Sequence, residues 1–221
     1  MAKSHQQKAP GLVGVISGAL CSLVLGMLLA GIYLIFKPVE IVSNVPKEPV
    51  AGVRYFVQGG GAAAAGTGWE RKQEALASGL GAVGLGEGDL NAWAQAAYPV
   101  DPEVQTAKQE ARFLLVPGTP NFRLVGEELQ VGVVAELICF GFVHDLVLQA
   151  QGGFESDGAG WRYAPKKVYF GCFPVHRFPV LMASLAARLK AEGTLPPEVG
   201  LVLRRAASLT IKADELSVRL R

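Results

Sequence analysis

No charged residue occurs between Gly11 and Phe36, a run of 26 residues, and this run constrains the chain more than any other feature. A helix needs about 20 apolar residues to cross the hydrocarbon of a bilayer, so the run is long enough to span with some tilt. A cleaved signal peptide has a shorter apolar region, about 7–15 residues, followed by small residues. Here the run ends in the bulky Leu34-Ile35-Phe36, which favours a retained span. Cys21 lies in the middle of the run, where no lipidation signal fits.

The expected organisation has four parts: a short basic tail (1–10), a membrane helix (11–36), a Pro/Gly/Ala-rich linker and lead-in (37–68) and a folded domain (69–221). Lys3 and Lys8 precede the span, whereas Lys37 and Lys47 follow it, so the flanking charge is nearly balanced. A short basic tail tends to stay inside, and long domains translocate largely regardless of charge. A cytoplasmic N-terminus and an extracytoplasmic C-terminal domain are therefore favoured.

Gly14, Gly18, Ser22, Gly26 and Ala30 recur at every fourth position of the span. They form one small-residue stripe, the pattern that lets two membrane helices approach closely. The expected partners are the lipid bilayer itself and, through the stripe, a second copy or another membrane helix. Tyr33 suits an interfacial aromatic position.

All 19 acidic residues and 19 of the 21 basic ones follow the span, so that part carries no formal net charge. It lacks the basic footprint of a nucleic-acid binder. Three cysteines are too few for a disulfide scaffold. Cys139 and Cys172, each in apolar surroundings, are either buried thiols or, in an oxidising compartment, a pair.

The domain reads as α+β: a twisted antiparallel sheet with helices on one face. Helices are expected over Trp69–Ser78, Glu87–Tyr98, Phe178–Ala191 and from Pro196-Pro197 to about Arg205, with stops at Pro99, Pro102 and Gly193. Val53 to Val57 suits a short strand, and Gly59 to Gly68 is expected to be flexible. From Leu129 the chain alternates, with Leu129, Val131, Val133, Ala135 and Leu137 on one face. Leu146, Leu148 and Ala150 form a second alternating run, and Trp161 to Phe173 a third strand region. Leu209 to Leu220 reads as a terminal hairpin. Between Ile138 and Val143 both faces are apolar, so Ile138, Phe140 and Phe142 are candidates for lining an apolar groove, the alternative being a sheet covered on both sides.

The order of these features resembles the YpmS-type group of single-pass bacterial membrane proteins. The likeness rests on the N-terminal span, the Asp89-Leu90-Asn91 helix start and the turn-bounded strands around Gly126. Gly171-Cys-Phe-Pro174, the helix after it and Leu195-Pro196 complete it. The Gly/Ala-rich insert and the Trp-containing helices depart from that pattern. The resemblance implies a membrane-anchored, β-rich extracytoplasmic domain and transfers no catalytic residue.

No catalytic, cofactor or metal set is expected. Gly79-Leu-Gly81-Ala-Val-Gly84 matches the dinucleotide-binding glycine pattern, but helix-like sequence precedes it where a strand is needed. Gly61 to Gly66 has phosphate-loop spacing, with Thr67 where lysine is required. His144 and His176 are the domain's only histidines, and no serine has the setting of a nucleophile. Glu127-Glu128 suits a polar turn, and Glu87, Asp89 and Asn91 suit helix capping, with Asn91 and Trp93 the one pair that could line a cleft. The sequence thus points to a non-catalytic anchored binding or scaffold domain. Handling of lipid or another apolar ligand is the alternative, and an unrecognised hydrolase ranks below both.

Overall fold

The computed structural model describes residues 11–65, 68–79, 81–99, 112–156, 158, 160–191, 196–212 and 214–221. The basic tail, Gly66-Thr67, Pro102, Gly193 and Leu195 lie outside them. The architecture is α+β, with an N-terminal apolar helix followed by antiparallel sheets and helices.

Helix α1 (Leu12–Phe36) has no buried residue, and it is long and apolar enough to cross a membrane. Strand β1 (Val39–Val42) follows at once and pairs in parallel with β2 (Arg54–Val57). Part of the segment read as a linker is therefore regular structure. Lys37 Nζ donates to the Gly52 carbonyl at 2.6 Å and closes the loop between the two strands.

The main sheet is built on a long hairpin. Strands β6 (Glu128–Cys139) and β7 (Phe142–Ser156) pair antiparallel over their length. Along the outer edge of β6 lie β4 (Phe113–Pro117) and β5 (Asn121–Val125) in succession. Along β7 lies β8 (Trp161–Phe170), followed by the short β9 (Phe173–Pro174). The third strand region predicted over Trp161 to Phe173 is thus broken at Gly171, whose φ of +56° turns the chain. The predicted alternation holds: Leu129 sits opposite Leu124, and Val131 opposite Phe122.

A second sheet packs on this face of the hairpin's far end. It holds β10 (Ala206–Lys212), β11 (Glu215–Leu220) and β3 (Ala82–Gly86) in the order β10-β11-β3. The predicted terminal hairpin is β10–β11. The glycine-rich stretch read as punctuation supplies β3, because Val83 and Leu85 complete the apolar face of Leu209, Ile211, Leu216, Val218 and Leu220. Phe122, Leu124, Leu129, Val131, Phe154, Trp161 and Tyr163 face them from the main sheet. Helices α2 (Gly68–Ser78), α3 (Glu87–Ala97) and α5 (Pro197–Arg205) flank the core through Ala75, Leu76, Leu90, Val202 and Leu203. Helix α4 (Pro179–Ala191) stands apart, packed on the 3-10 turn Val175–Arg177 that precedes it.

The start of α3 is a polar staple. Asn91 Nδ2 donates to the carbonyls of Gly60 and Phe122, and its Oδ1 accepts the Phe122 N–H. Glu87 accepts the N–H groups of Gly60 and Leu124. Asp89 accepts from Gly86 N–H and pairs with Lys72 at 2.6 Å. The cluster read as capping therefore also ties α3 to β5 and to the Gly-rich lead-in. Trp93 packs edge-on to Tyr98 and against Phe122, so it belongs to the packing rather than to a cleft. Removing a buried partner leaves backbone groups unsatisfied. Asn91→Ala should lower stability by about 3 kcal/mol, read as a fall in the thermal melting point of the full chain in detergent.

Tyr163 donates to the Leu129 carbonyl at 2.9 Å, and burial, with Glu128 second, raises its pKa. The unfolded tyrosine ionises near pH 10, so the stability tied to the protonated hydroxyl is complete below about pH 10 and is lost as pH rises further. Melting temperatures should fall above about pH 10 more steeply in the wild type than in Tyr163→Phe. At neutral pH that variant should be less stable by about 1 kcal/mol, for its lost hydrogen bond.

Candidate functional site

The last turn of an α-helix leaves carbonyls without intrahelical partners, which caps, water or neighbouring groups must satisfy. In α1 the sheet meets them. Tyr33 O accepts from Lys37 N–H within the chain's own turn, while Leu34 O accepts the Cys172 N–H at 2.9 Å. Cys172 and Gly171 form the turn between β8 and β9, and the Gly171 N–H is itself held by the Val147 carbonyl of β7. A Cβ at Gly171 would lie 2.2 Å from the Ile35 carbonyl oxygen, so only glycine admits both the turn and the close approach. Deeper along α1, the ring of Phe173 rests on Gly31, 3.5 Å from where a Cβ would stand. At the other end the ring of Phe36 lies 5.2 Å from that of His144. The domain thus grips α1 over Gly31 to Phe36 instead of trailing behind it on a tether.

The grip occupies the edge of β7 that β8 does not cover, since β8 pairs with β7 only from Leu148 onward. Beside it an open groove of about 390 Å³ runs between Pro38, Val39 and Ile41 on one side and Val143, His144, Asp145 and Val147 on the other. Further along the same face, Phe56 of β2 lies on Gly132, where a Cβ would meet the ring at 2.2 Å. Arg54 stacks on Tyr169 with its guanidinium carbon 3.2 Å from the ring centre, and it donates to Gln149 Oε1 at 3.4 Å.

Neither histidine belongs to a nucleophile–base pair among the described residues. His176 is engaged through Nδ1 by the backbone of Val168 and packs edge-on to Tyr169. The Nε2 of His144 is buried without a hydrogen-bond partner, beside Phe36. Ser184 Oγ donates to the Val180 carbonyl on its own helix. Glu128 accepts from Gln151 and pairs with Lys166, while Glu127 stands in the β5–β6 turn. The Gly79-to-Gly84 pattern runs from the end of α2 into β3, the reverse of the strand-to-helix order that dinucleotide binding needs.

The structure separates the candidate groove residues. Ile138 is buried, whereas Phe140 and Phe142 are 75% and 79% exposed at the tip of the β6–β7 hairpin. Phe113 on β4 and Val143 are exposed beside them. Phe140 has a φ of +48° and Gly141 one of +85°, so the two make a tight turn whose first position normally suits asparagine or glycine. A phenylalanine there is both exposed and in an unfavourable backbone region.

All three cysteines are free thiols, so the Cys139–Cys172 pairing raised from sequence is not formed. Cys139 lies at the hairpin tip opposite Phe142, and Cys172 lies by the turn held at Val147. Five strand residues separate these levels, roughly 15 Å along β7, beyond the reach of a disulfide. The stripe residues Gly14, Gly18, Ser22, Gly26 and Ala30 are all exposed on α1, and a Cβ at Gly18 or Gly26 would meet nothing within 4 Å. At about 100° per residue, the stripe centres on the side of α1 opposite Gly31, Leu34 and Ile35.

No family model, curated protein or solved structure matches the chain.

The grip on α1 was not legible in sequence. Gly171 is recognisable as a turn residue, but nothing local says that the turn's next N–H caps a helix about 140 residues earlier. Gly171→Val should break the contact with Ile35 while leaving the distal core folded. Limited trypsin digestion in vesicles should then cut at Lys47 or Arg54 several times faster than in the wild type, because cleavage there needs local opening of the β1–β2 segment. Unchanged cleavage would show that the grip does not restrain this region.

Proposed function

We propose that this chain is a membrane-anchored, non-catalytic binding or scaffold protein whose domain is held directly against the bilayer surface. The observation that carries the reading is the capping of α1 by the Gly171-Cys172 turn, which makes helix and sheet one unit. An anchor that served only for retention would need no such contact. The resemblance to YpmS-type proteins supports the same reading, with the domain on the extracytoplasmic side. That side is also favoured by the short tail bearing Lys3 and Lys8.

The small-residue stripe supplies a way to pair two such units. Gly14, Gly18, Ser22 and Gly26 lie outside the gripped stretch Gly31 to Phe36, so a second helix could pack on them without disturbing the domain. Pairing two tethered domains raises their effective concentration for a shared partner. Disulfide or chemical crosslinking in membranes should give a dimer band that falls several-fold in Gly18→Leu and Gly26→Leu, since each leucine keeps the backbones apart. An undiminished band would remove the stripe from the proposal.

A second reading, contact with lipid or another apolar ligand, is favoured by the hairpin tip. There Phe140, Phe142, Phe113 and Val143 are exposed together, with Phe140 in the left-handed region. A benzophenone side chain placed at position 142 of the full chain, irradiated in native membranes, separates the two. Adducts with protein are expected on the scaffold reading and adducts with lipid on the ligand reading. An absence of adducts would count against both uses of the tip.

A further inference from the structure

We propose that α4 is a second membrane contact, lying on the leaflet into which the C-terminal end of α1 emerges. The inference rests on the reading that α1 crosses the bilayer. Helix α1 has 25 residues, about 37 Å, against a hydrocarbon thickness of about 30 Å. Some five residues are left over, and the domain grips the stretch from Gly31 to Phe36. The contact between Phe173 and Gly31 therefore lies at the deep end of that grip, nearest the hydrocarbon. Phe178 stacks on Phe173, with ring centres 5.1 Å apart and planes 13° from parallel. Helix α4 starts at the next residue. Its root is thus fixed by two stacked rings to the membrane end of the domain.

The surface of α4 suits that place. Phe178, Val180 and Leu181 are 44%, 78% and 46% exposed, and Ala183, Ser184, Ala186 and Ala187 are exposed as well. The ten residues from Phe178 to Ala187 carry no charge. The one hydroxyl among them, Ser184, is satisfied inside the helix by the Val180 carbonyl. Left in water, this helix would keep much of Val180 and about half of Phe178 and Leu181 against solvent. Placed at the boundary between headgroups and acyl chains, it buries that surface in lipid.

Along the chain from Gly158 to Ala191 there is no acidic residue, while Arg162, Lys166, Lys167, Arg177, Arg188 and Lys190 are basic; Arg162 and Lys166 are paired with Glu155 and Glu128 on the sheet. Arg177 stands just before the uncharged stretch, and Arg188 and Lys190 fall in the last turn of α4. An apolar stretch flanked in sequence by basic residues matches a leaflet containing anionic lipid.

The test uses the full chain with Cys21→Ala, Cys139→Ala and Cys172→Ala, which leaves the Cys172 backbone N–H in place. Single cysteines replace Val180, Leu201 on α5, or Leu23 within α1, and each carries an environment-sensitive fluorophore. The variants are reconstituted in phosphatidylcholine–phosphatidylglycerol vesicles containing a nitroxide-bearing lipid quencher. Quenching at position 180 is expected to approach that at 23 and to exceed that at 201 roughly threefold or more, as for a helix buried in the interface. Equal, weak quenching at 180 and 201, with strong quenching at 23, would overturn the proposal while leaving the membrane span intact. Weak quenching at 23 would instead overturn the span and this inference with it. If the Val180 variant loses its sheet signal in circular dichroism, Leu181→Cys gives the same comparison.

Discussion

The hydrogen bond from the Cys172 N–H to the Leu34 carbonyl is the point on which the arrangement turns. An α-helix leaves its last carbonyls without intrahelical partners, and caps, water or neighbouring groups must satisfy them. Here a tight turn of the sheet completes the helix, so the membrane segment and the domain share one polar contact that neither can make alone. Gly171 makes it geometrically feasible, since any side chain there would collide with the Ile35 carbonyl. Phe173 on Gly31 and Phe36 beside His144 extend the contact on either side.

From that contact the main sheet divides into two ends with different surroundings. At the distal end β3, β10 and β11 cover it, and the largest cluster of buried side chains lies between the two sheets. At the proximal end the long β6–β7 hairpin runs past β8 and carries exposed aromatics at its tip. The polar staple of Glu87, Asp89 and Asn91 belongs to the distal end, where it fixes α3 and β5 relative to each other. Stability and surface contact are therefore provided by separate parts of one sheet. The apolar groups that a soluble domain would bury are left outside close to the membrane helix.

Much of this was readable from residue patterns. Uniform hydrophobicity marked α1 to within a residue, and period-2 alternation marked β6 and its buried face. Proline and acidic residues marked the starts of α3 and α5. The Glu87, Asp89 and Asn91 cluster was recognisable as capping, though its reach across to Phe122 and Leu124 was not. Three features escaped a local reading. The strand β3 is short and glycine-rich, and it becomes a strand only because β11 offers an edge to it. Strand β1, and its parallel pairing with the strand read at Val53 to Val57, lies in a proline-bearing segment and is joined to β2 by a loop. Gly171 breaks what reads as one continuous strand, because the end of α1 occupies the space that further pairing with β7 would need.

The amino-acid sequence alone determined that one segment is long and apolar enough to cross a bilayer, that the domain is α+β, and that its apolar alternation defines a buried face. Those properties follow from composition and period, which each segment carries by itself. Only the tertiary structure decided which surfaces stay uncovered and how the membrane helix ends. Both depend on groups far apart in the chain meeting in space: a carbonyl at 34 with an N–H at 172, and a ring at 173 with a glycine at 31. No local pattern encodes such a meeting, since its free energy exists only once both partners have folded.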